Sequence, residues 1–410
     1  MSTGSHPSAL ADLRVLDLST LVAGPYCTKL LADFGADVIK VEPLSGDPAR
    51  SLAPFFGDHP SLEGSLLHLY LNTSKRGVTL DLSLPTGRVL LQKLVAWADV
   101  LVESFKPGTL DALGLGYKDL SKIKPSIVVV SVTPFGQDGP YKGYRGSEIV
   151  EFALGGFMYT YGEYERPPLK HGGHQVQYHT GVNASVATMV AVYHQRATGE
   201  GQHVDVSSIE TQAATLRDTT SLYAYMGAIR RRSPKEEVTG EGGQGNMVAS
   251  KDGYFMGGEG GLPRAGLRTV EWDEVVDFLG NEELRSFATE EERRRRRGEL
   301  RAILQETYAK RAKYDIVEGA QQHHFMFGPV ETPADVVHSP QMAARGYFAS
   351  VNHPTTGPIP FPGRPFIMSE TPWGAQRPAP LLGEHNHHVY CDLLGYTPQD
   401  LVSLHQLRVI

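Results

Sequence analysis

Apolar and polar positions in the first part of the chain follow two alternating periods, which predicts strands separated by helices. Residues 13–18 are apolar enough for a buried strand, and Leu30, Leu31 and Phe34 recur at helical spacing within a predicted helix at 28–34. Gly35 ends that helix, and residues 37–41 form a second predicted strand. The unit is therefore a βαβ crossover, the connection that builds parallel sheets.

The same alternation continues to residue 206, so the predicted sheet is mostly parallel. Further strands are predicted at 77–82, 100–103, 126–133 and 203–206, and further helices at 86–98, 149–157 and 180–193. We predict an α/β protein in which residues 1–224 form the N-terminal part of a large domain.

Residues 225–330 have a different character and are predicted to form a separate, smaller domain. They contain two arginine runs and a glycine-rich segment at 240–245, which is either a lid over a ligand or a linker. From residue 331 proline recurs and short elements return, so 331–410 is predicted to rejoin the large domain.

A short segment of small residues lies between the first strand and its helix: Val22, Ala23, Gly24 and Pro25. Small side chains allow a ligand to approach the backbone and the helix N-terminus, which favours anionic groups such as phosphate. This segment lacks the GxGxxG fingerprint, so it is not a dinucleotide-binding motif.

Composition narrows the choice of partner and compartment. At 410 residues the chain is long enough for two domains, and its net charge of −7 argues against a nucleic-acid-binding protein. Cys27 and Cys391 have no zinc spacing and form no disulfide framework, which is typical of a reducing compartment. The histidines cluster at 171–179 and 385–388 without a metal-binding signature, so no metal site is predicted. No secretory signal or membrane span is visible, and we predict a soluble cytoplasmic protein.

Six blocks, in this order, resemble the family III CoA-transferases, also called the CaiB/BaiF family. The blocks are LDLSTLVAGPYCTKLLADFGADVIKVEPLSGDPAR, LNTSKRGVTLDL, ADVLVESFKPGTLDALGLGY, ATGEGQHVDVS, GPVETPADVVHSPQMAARGYF and APLLGEH. The resemblance implies a large Rossmann-like domain built from both chain ends and a small central α+β domain. It also implies two chains interlocked as linked rings.

The resemblance further implies a coenzyme A thioester as substrate and no permanently bound cofactor. By resemblance, the coenzyme A contacts fall on Val22, Ala23, Leu80, Asp81, Ser104, Phe105, Lys106 and Arg145. Backbone groups near Gly24 suit the phosphates and Phe105 suits the adenine, although a purely structural role for Leu80 or Phe105 is an equal alternative. Many family members carry an arginine where this chain has Ala112.

In this family an aspartate attacks the acyl-CoA thioester. That aspartate lies four residues before a glycine and 21 before the threonine of TGxGQ, and counting back from Gly181 and from Thr198 leads both times to Gln177. An amide is a poor nucleophile, so the usual covalent route is predicted to be blocked in this chain. The earlier carboxylates at 148, 151, 163 and 165 are not at the required position.

The family also contains racemases, whose histidine and aspartate fall on Ser147 and again on Gln177, so racemisation is not expected. Residues 56–71 resemble a subgroup that acts on benzylsuccinate in anaerobic toluene degradation. The favoured hypothesis is a subunit of a heteromeric CoA-transferase that moves CoA between a dicarboxylyl-CoA such as succinyl-CoA and an organic acid. In this hypothesis a paralogous partner chain carries the nucleophile, and benzylsuccinate is a candidate acceptor of CoA.

Two alternatives remain open. One is an independent enzyme acting on CoA thioesters by a different route, in which Gln177 positions a substrate by hydrogen bonds and a glutamate or a histidine, such as His174 or His179, performs acid–base chemistry. The other is a CoA-thioester-binding protein without catalytic activity.

Overall fold

The computed structural model describes residues 8–232, 247–257, 261–266, 268–374 and 377–410. The chain divides into two compact units. The large unit runs to Gly162, resumes over Pro168–Arg231 and ends with Ala344–Ile410. The small unit contains Glu163–Pro167 and the segment that begins at Arg232 and ends at Ala343. The glycine-rich segment at 240–245 lies outside the described residues.

A six-stranded sheet forms the centre of the large unit. Its strands are β1 (Arg14–Asp17), β2 (Asp37–Glu42), β3 (Arg76–Thr79), β4 (Val100–Glu103), β5 (Val128–Thr133) and β6 (His203–Ser207). The spatial order is β3-β2-β1-β4-β5-β6, and every neighbouring pair is parallel. The order reverses between β1 and β4. In sheets of this type ligands bind at that point, outside the carboxyl ends of the strands.

The helices of this part of the large unit are α1 (Ala23–Asp33), α2 (Leu66–Leu71), α3 (Pro85–Trp97), α4 (Thr109–Ala112), α5 (Tyr117–Ile123), α6 (Glu148–Leu154), α7 (Phe157–Thr160), α8 (Gln175–Thr198), α9 (Ser208–Ala214) and α10 (Arg217–Met226). Of these, α1 and α8 pack on one face of the sheet, and α3 and α5 pack on the other. Successive strand residues face opposite sides: Val15 packs in a core with α1 and α8, whereas Leu16 packs in a core with α3. Burial on both faces explains why β4 and β5 are almost continuously hydrophobic.

Several predicted boundaries are wrong in ways that concern the site. Helix α1 begins at Ala23 rather than at 28, because Pro25 lies in the first turn, where its missing N–H group costs no hydrogen bond. Helix α8 begins at Gln175 rather than at 180. Strand β3 ends at Thr79 rather than at 82. The helix predicted at 149–157 is broken by Gly156, whose φ of 87° is left-handed.

The small unit is built on a three-stranded antiparallel sheet of β7 (Met247–Ala249), β8 (Tyr254–Met256) and β9 (Gly328–Pro329). Its helices are α11 (Trp272–Leu279), α12 (Glu290–Arg295), α13 (Arg297–Ala309), α14 (Lys313–Gln322), α15 (Pro333–Val337) and α16 (Pro340–Ala344). The unit extends to Ala343 rather than to 330, because the following residues bind to it. Lys313 Nζ lies 3.0 Å from Asp335 Oδ2, and the Val330 N–H donates to the Tyr254 carbonyl oxygen.

The end of the chain returns to the large unit with a hairpin of β10 (Phe348–His353) and β11 (Gly357–Pro362), followed by α17 (Pro398–Gln406). The Tyr390 hydroxyl donates to the Thr79 carbonyl oxygen at 2.8 Å, and the Asp81 N–H donates to the Val409 carbonyl oxygen at 2.8 Å. The predicted α/β class, with a parallel-sheet domain made from both chain ends and a small α+β domain, is therefore confirmed. Interlocking of two chains stays a prediction.

Within the described residues, no helix combines the length and the hydropathy needed to cross a membrane.

Candidate functional site

Buried charges hold the loop that follows β1. Lys75 Nζ lies 2.9 Å from Asp17 Oδ2, and Lys40 Nζ donates to the Ser19 carbonyl oxygen at 2.8 Å. Burial alone would raise the pKa of Asp17, but Lys40 and Lys75 hold it well below its usual value. Burial lowers the pKa of Lys75 to about 8 against the attraction of Asp17. These contacts attach the loop to β2 and to the segment before β3.

The loop itself has little freedom. The Leu21 N–H donates to Asp47 Oδ1 at 3.1 Å, and Leu21 adopts a φ of 65°, an unusual conformation for a branched residue. A Cβ atom at Gly24 would collide with the side chain of Ser19, so only glycine fits there. Strained backbone of this kind is concentrated at ligand-binding sites.

Of the residues that resemblance assigns to coenzyme A, five meet at the carboxyl ends of β1 and β4. Ser104 Oγ accepts a hydrogen bond from the Thr20 N–H at 2.9 Å, which joins the two loops. The side chains of Val22 and Ala23 are buried, so these residues present backbone groups at the start of α1. Phe105 is half-buried against the core and Lys106 is exposed. This is the point where the strand order reverses.

The other three residues that resemblance assigns to coenzyme A lie after β3 and after β5. The Leu80 side chain is enclosed in the core, so its backbone is what remains for a ligand. Asp81 follows β3 and accepts a hydrogen bond from the Ser83 N–H at 2.8 Å. Arg145 is exposed on the connection after β5, and Ala112 is exposed at the end of α4.

Gln177 lies in the first turn of α8. The side chain of Glu148 caps this turn, since its two oxygens accept the N–H groups of Val176 at 2.9 Å and of Gln177 at 3.2 Å. One turn further along, a Cβ atom at Gly181 would lie 2.6 Å from the Ala23 carbonyl oxygen. Close packing of α8 on α1 therefore places Gln177 near the loop that follows β1.

The side chain of Gln177 has a carboxyl partner that sequence reasoning had set aside. Its Nε2 donates a hydrogen bond to Glu151 Oε2. Glu151 is 1% exposed, and its burial, together with the nearby charge of Glu148, raises its pKa to about 7. The only signal in the sequence is the spacing of Glu148 and Glu151, which places both on one face of α6.

The two histidines considered for acid–base chemistry, His174 and His179, lie at the start of α8. His179 Nδ1 lies 3.1 Å from Gln212 Nε2 of α9, and His174 precedes the first residue of α8 without capping it through its side chain. Among the described residues, no group of three or more histidine, cysteine or acidic side chains is arranged to hold a metal ion. The site thus offers two joined loops at the carboxyl ends of β1 and β4, an amide and a buried carboxyl group.

The strand order defines a Rossmann-like fold, in which ligands bind at the point where the order reverses. More specifically, the chain belongs to CoA-transferase family III, whose sequence model matches residues 10–386. The resemblance stated from the six sequence blocks is therefore confirmed.

Individual relatives cover nearly the whole chain. It is 32% identical to the succinyl-CoA:(R)-benzylsuccinate CoA-transferase subunit BbsE of Thauera aromatica, over 97% of both chains. It is also 32% identical to the succinyl-CoA–D-citramalate CoA-transferase of Chloroflexus aurantiacus, over the full length of both. Among solved structures, a CaiB/BaiF family protein from Brucella suis superposes with a TM-score of 0.81 at 30% identity, covering 95% of this chain and all of the other.

Proposed function

We propose that this chain is a subunit of a heteromeric CoA-transferase, in which a paralogous chain supplies the nucleophilic carboxylate. The observation that carries the proposal is Gln177. Two independent spacings place this residue where the family has its aspartate, and its amide nitrogen is engaged with a buried carboxyl group. An amide in this place does not attack a thioester, so the reaction needs a carboxylate from another source.

The donor in this proposal is a dicarboxylyl-CoA such as succinyl-CoA, and the acceptor is an organic acid. Two relatives at the same 32% identity are named for succinyl-CoA but for different acids. Their names support succinyl-CoA as the shared partner and leave benzylsuccinate as one candidate acceptor. In this reading CoA is a substrate and the chain holds no permanent cofactor.

The proposed CoA site lies at the carboxyl ends of β1 and β4. Backbone groups of Val22 and Ala23 at the N-terminus of α1 suit the phosphates, and Lys106 adds an exposed cation. Ser104 and Phe105 line the neighbouring loop. The remaining contacts in this proposal are Leu80, Asp81 and Arg145.

An exposed apolar face on α8 supports the presence of a partner chain. Val182, Val186, Val190 and Tyr193 follow helical spacing and are 41%, 59%, 65% and 80% exposed. A row of this kind is costly in water and is typical of a surface that another chain covers. One relative is itself named as a subunit, which favours a paralogue as the occupant.

The test measures CoA transfer from succinyl-CoA to a panel of dicarboxylates that includes benzylsuccinate. The wild-type chain is assayed alone, as Gln177→Asp, and co-expressed with its nearest paralogue. Gln175→Asp is the matched control, because it adds the same charge to an exposed position in the same helical turn. We expect activity with the paralogue and none from the wild type alone. Turnover by the wild type alone would overturn the subunit proposal.

A second candidate is an independent enzyme, and the contact between Glu151 and Gln177 favours it. A carboxyl group whose pKa lies near 7 suits proton transfer at neutral pH. In that case the wild type is active alone and Glu151→Gln is not. CoA binding without turnover under either condition would instead identify a non-catalytic binding protein.

A further inference from the structure

The hydrogen bond between Glu151 and Gln177 indicates which group of a ligand the Gln177 side chain can bind. A carboxylate can only accept hydrogen bonds, so an ionised Glu151 requires the nitrogen of the Gln177 amide to face it. The planar amide then turns its oxygen away from Glu151. Since Gln177 is only partly buried, this outward atom is available to a ligand.

Protonation of Glu151 removes this constraint. A carboxylic acid donates one hydrogen bond and still accepts others, so the Gln177 amide can then present its oxygen to Glu151. In that orientation the amide turns its nitrogen outward. We propose that Glu151 is a positioning residue for Gln177, and that the outward group of Gln177 binds the acyl carbonyl oxygen of the CoA thioester. This inference rests on the proposed CoA-thioester function.

The chemistry of the ligand decides which orientation binds. A thioester carbonyl oxygen accepts hydrogen bonds and does not donate them. The outward nitrogen therefore binds it, whereas the outward oxygen repels it. Acyl-CoA should bind more tightly to the form in which Glu151 carries a proton, and binding should take up a proton in return.

The groups around Glu151 are few. On its own helix the charged neighbour is Glu148. Helix α8 contributes the Gln177 amide and the imidazole of His179, which is hydrogen-bonded to Gln212. Helix α9 contributes the hydroxyl of Ser208, and Glu210 on the same helix is exposed. His179 is therefore substituted separately in the experiment.

The experiment compares the dissociation constants of acetyl-CoA and CoA by calorimetry between about pH 6 and about pH 8.5. Both ligands carry the same phosphates, so their ratio reports on the acyl end alone. Acetyl-CoA also lacks a free carboxylate that would titrate. For the wild type we expect the preference for acetyl-CoA to fall by about three- to ten-fold as the pH rises, the equivalent of one hydrogen bond.

Three variants separate a positioning role from a structural one. Glu151→Gln should make the ratio independent of pH, while His179→Gln should leave the dependence intact. The double variant Glu151→Gln/Gln177→Glu preserves an amide–carboxylate pair but places the carboxylate outward. We expect it to lose the preference for acetyl-CoA over CoA, whereas a merely structural pair would tolerate the exchange.

The outcomes distinguish the two proposals. A wild-type ratio that does not change with pH, or a dependence that His179→Gln removes and Glu151→Gln keeps, would overturn this inference and leave the proposed function standing. A wild-type chain that binds neither CoA nor acetyl-CoA, alone or with its paralogue, would overturn both.

Discussion

Replacing Glu151 by glutamine should stabilise the large unit at high pH and have little effect at low pH. The side chain is 1% exposed and close to Glu148, and its pKa is raised from 4.5 to about 7. This difference corresponds to about 3 kcal/mol between the two protonation states. Glutamine has nearly the same shape and still accepts the hydrogen bond from Gln177, so it removes the cost of burying a charge without leaving a cavity.

The sign follows from proton binding. Between the two pKa values the folded chain retains the proton on Glu151 and the unfolded chain has lost it, so stability falls as the pH rises through this range. The full cost is present above about pH 7, and none of it is present below the usual pKa of 4.5. The wild type should therefore lose stability between about pH 5 and about pH 8 relative to Glu151→Gln, by about 3 kcal/mol at the upper end.

Urea unfolding followed by tryptophan fluorescence measures this difference. A Trp272→Phe background removes the signal of the small unit, because Trp97 and Trp373 both belong to the large unit. Glu210→Gln is the control, since that carboxylate is exposed. An advantage of Glu151→Gln that is the same at low and high pH would refute the reasoning, because the burial of a charge would then not be its source.

Three further predictions concern the loop after β1 and the CoA site. Gly181→Ala should cost about 1–3 kcal/mol of stability and weaken CoA binding, because the added methyl group meets the backbone at the start of α1. Gly172→Ala, which adds the same group in open space, should change neither the stability nor the CoA affinity when both are measured by calorimetry. Ala112→Arg should tighten CoA binding about two- to five-fold at low salt, since the position is exposed and a guanidinium suits phosphate; equal gains at high salt would contradict this. Asp17→Asn should destabilise the protein by about 3–5 kcal/mol in urea unfolding, because the buried Lys75 loses its carboxylate partner and the buried Lys40 is left with Asp47. The same change at the more exposed Asp99 should cost less than about 1 kcal/mol, and equal losses at both positions would show that burial of the charges is unimportant.

Local patterns along the chain were sufficient for the class of fold. The predicted strands overlap all six strands of the large sheet, and the apolar runs were clearest at β4 and β5, because a parallel strand buried on both faces is apolar on both. Six blocks of residues were enough to indicate the family, and two counts along the chain led to Gln177. Each of these is a property of residue order alone.

The first residues of the helices were harder to predict from the sequence. Helix α1 includes the small residues before 28, because Pro25 fits a first turn as well as it fits a loop. Helix α8 begins before Gln177 because a side chain from another helix, Glu148, satisfies its first N–H groups. A cap supplied from outside the helix leaves no local pattern to read.

The sequence by itself determined the order of the elements, the family and the absence of an aspartate at 177. Only the tertiary structure decided that Glu151 is the partner of Gln177 and that the Leu80 side chain is enclosed in the core. The physical reason is that periodicity records which face of a helix or strand is apolar. Which polar side chain meets another across α6 and α8 depends on how the two helices pack, and here the side chain of Glu148 attaches α6 to the first turn of α8.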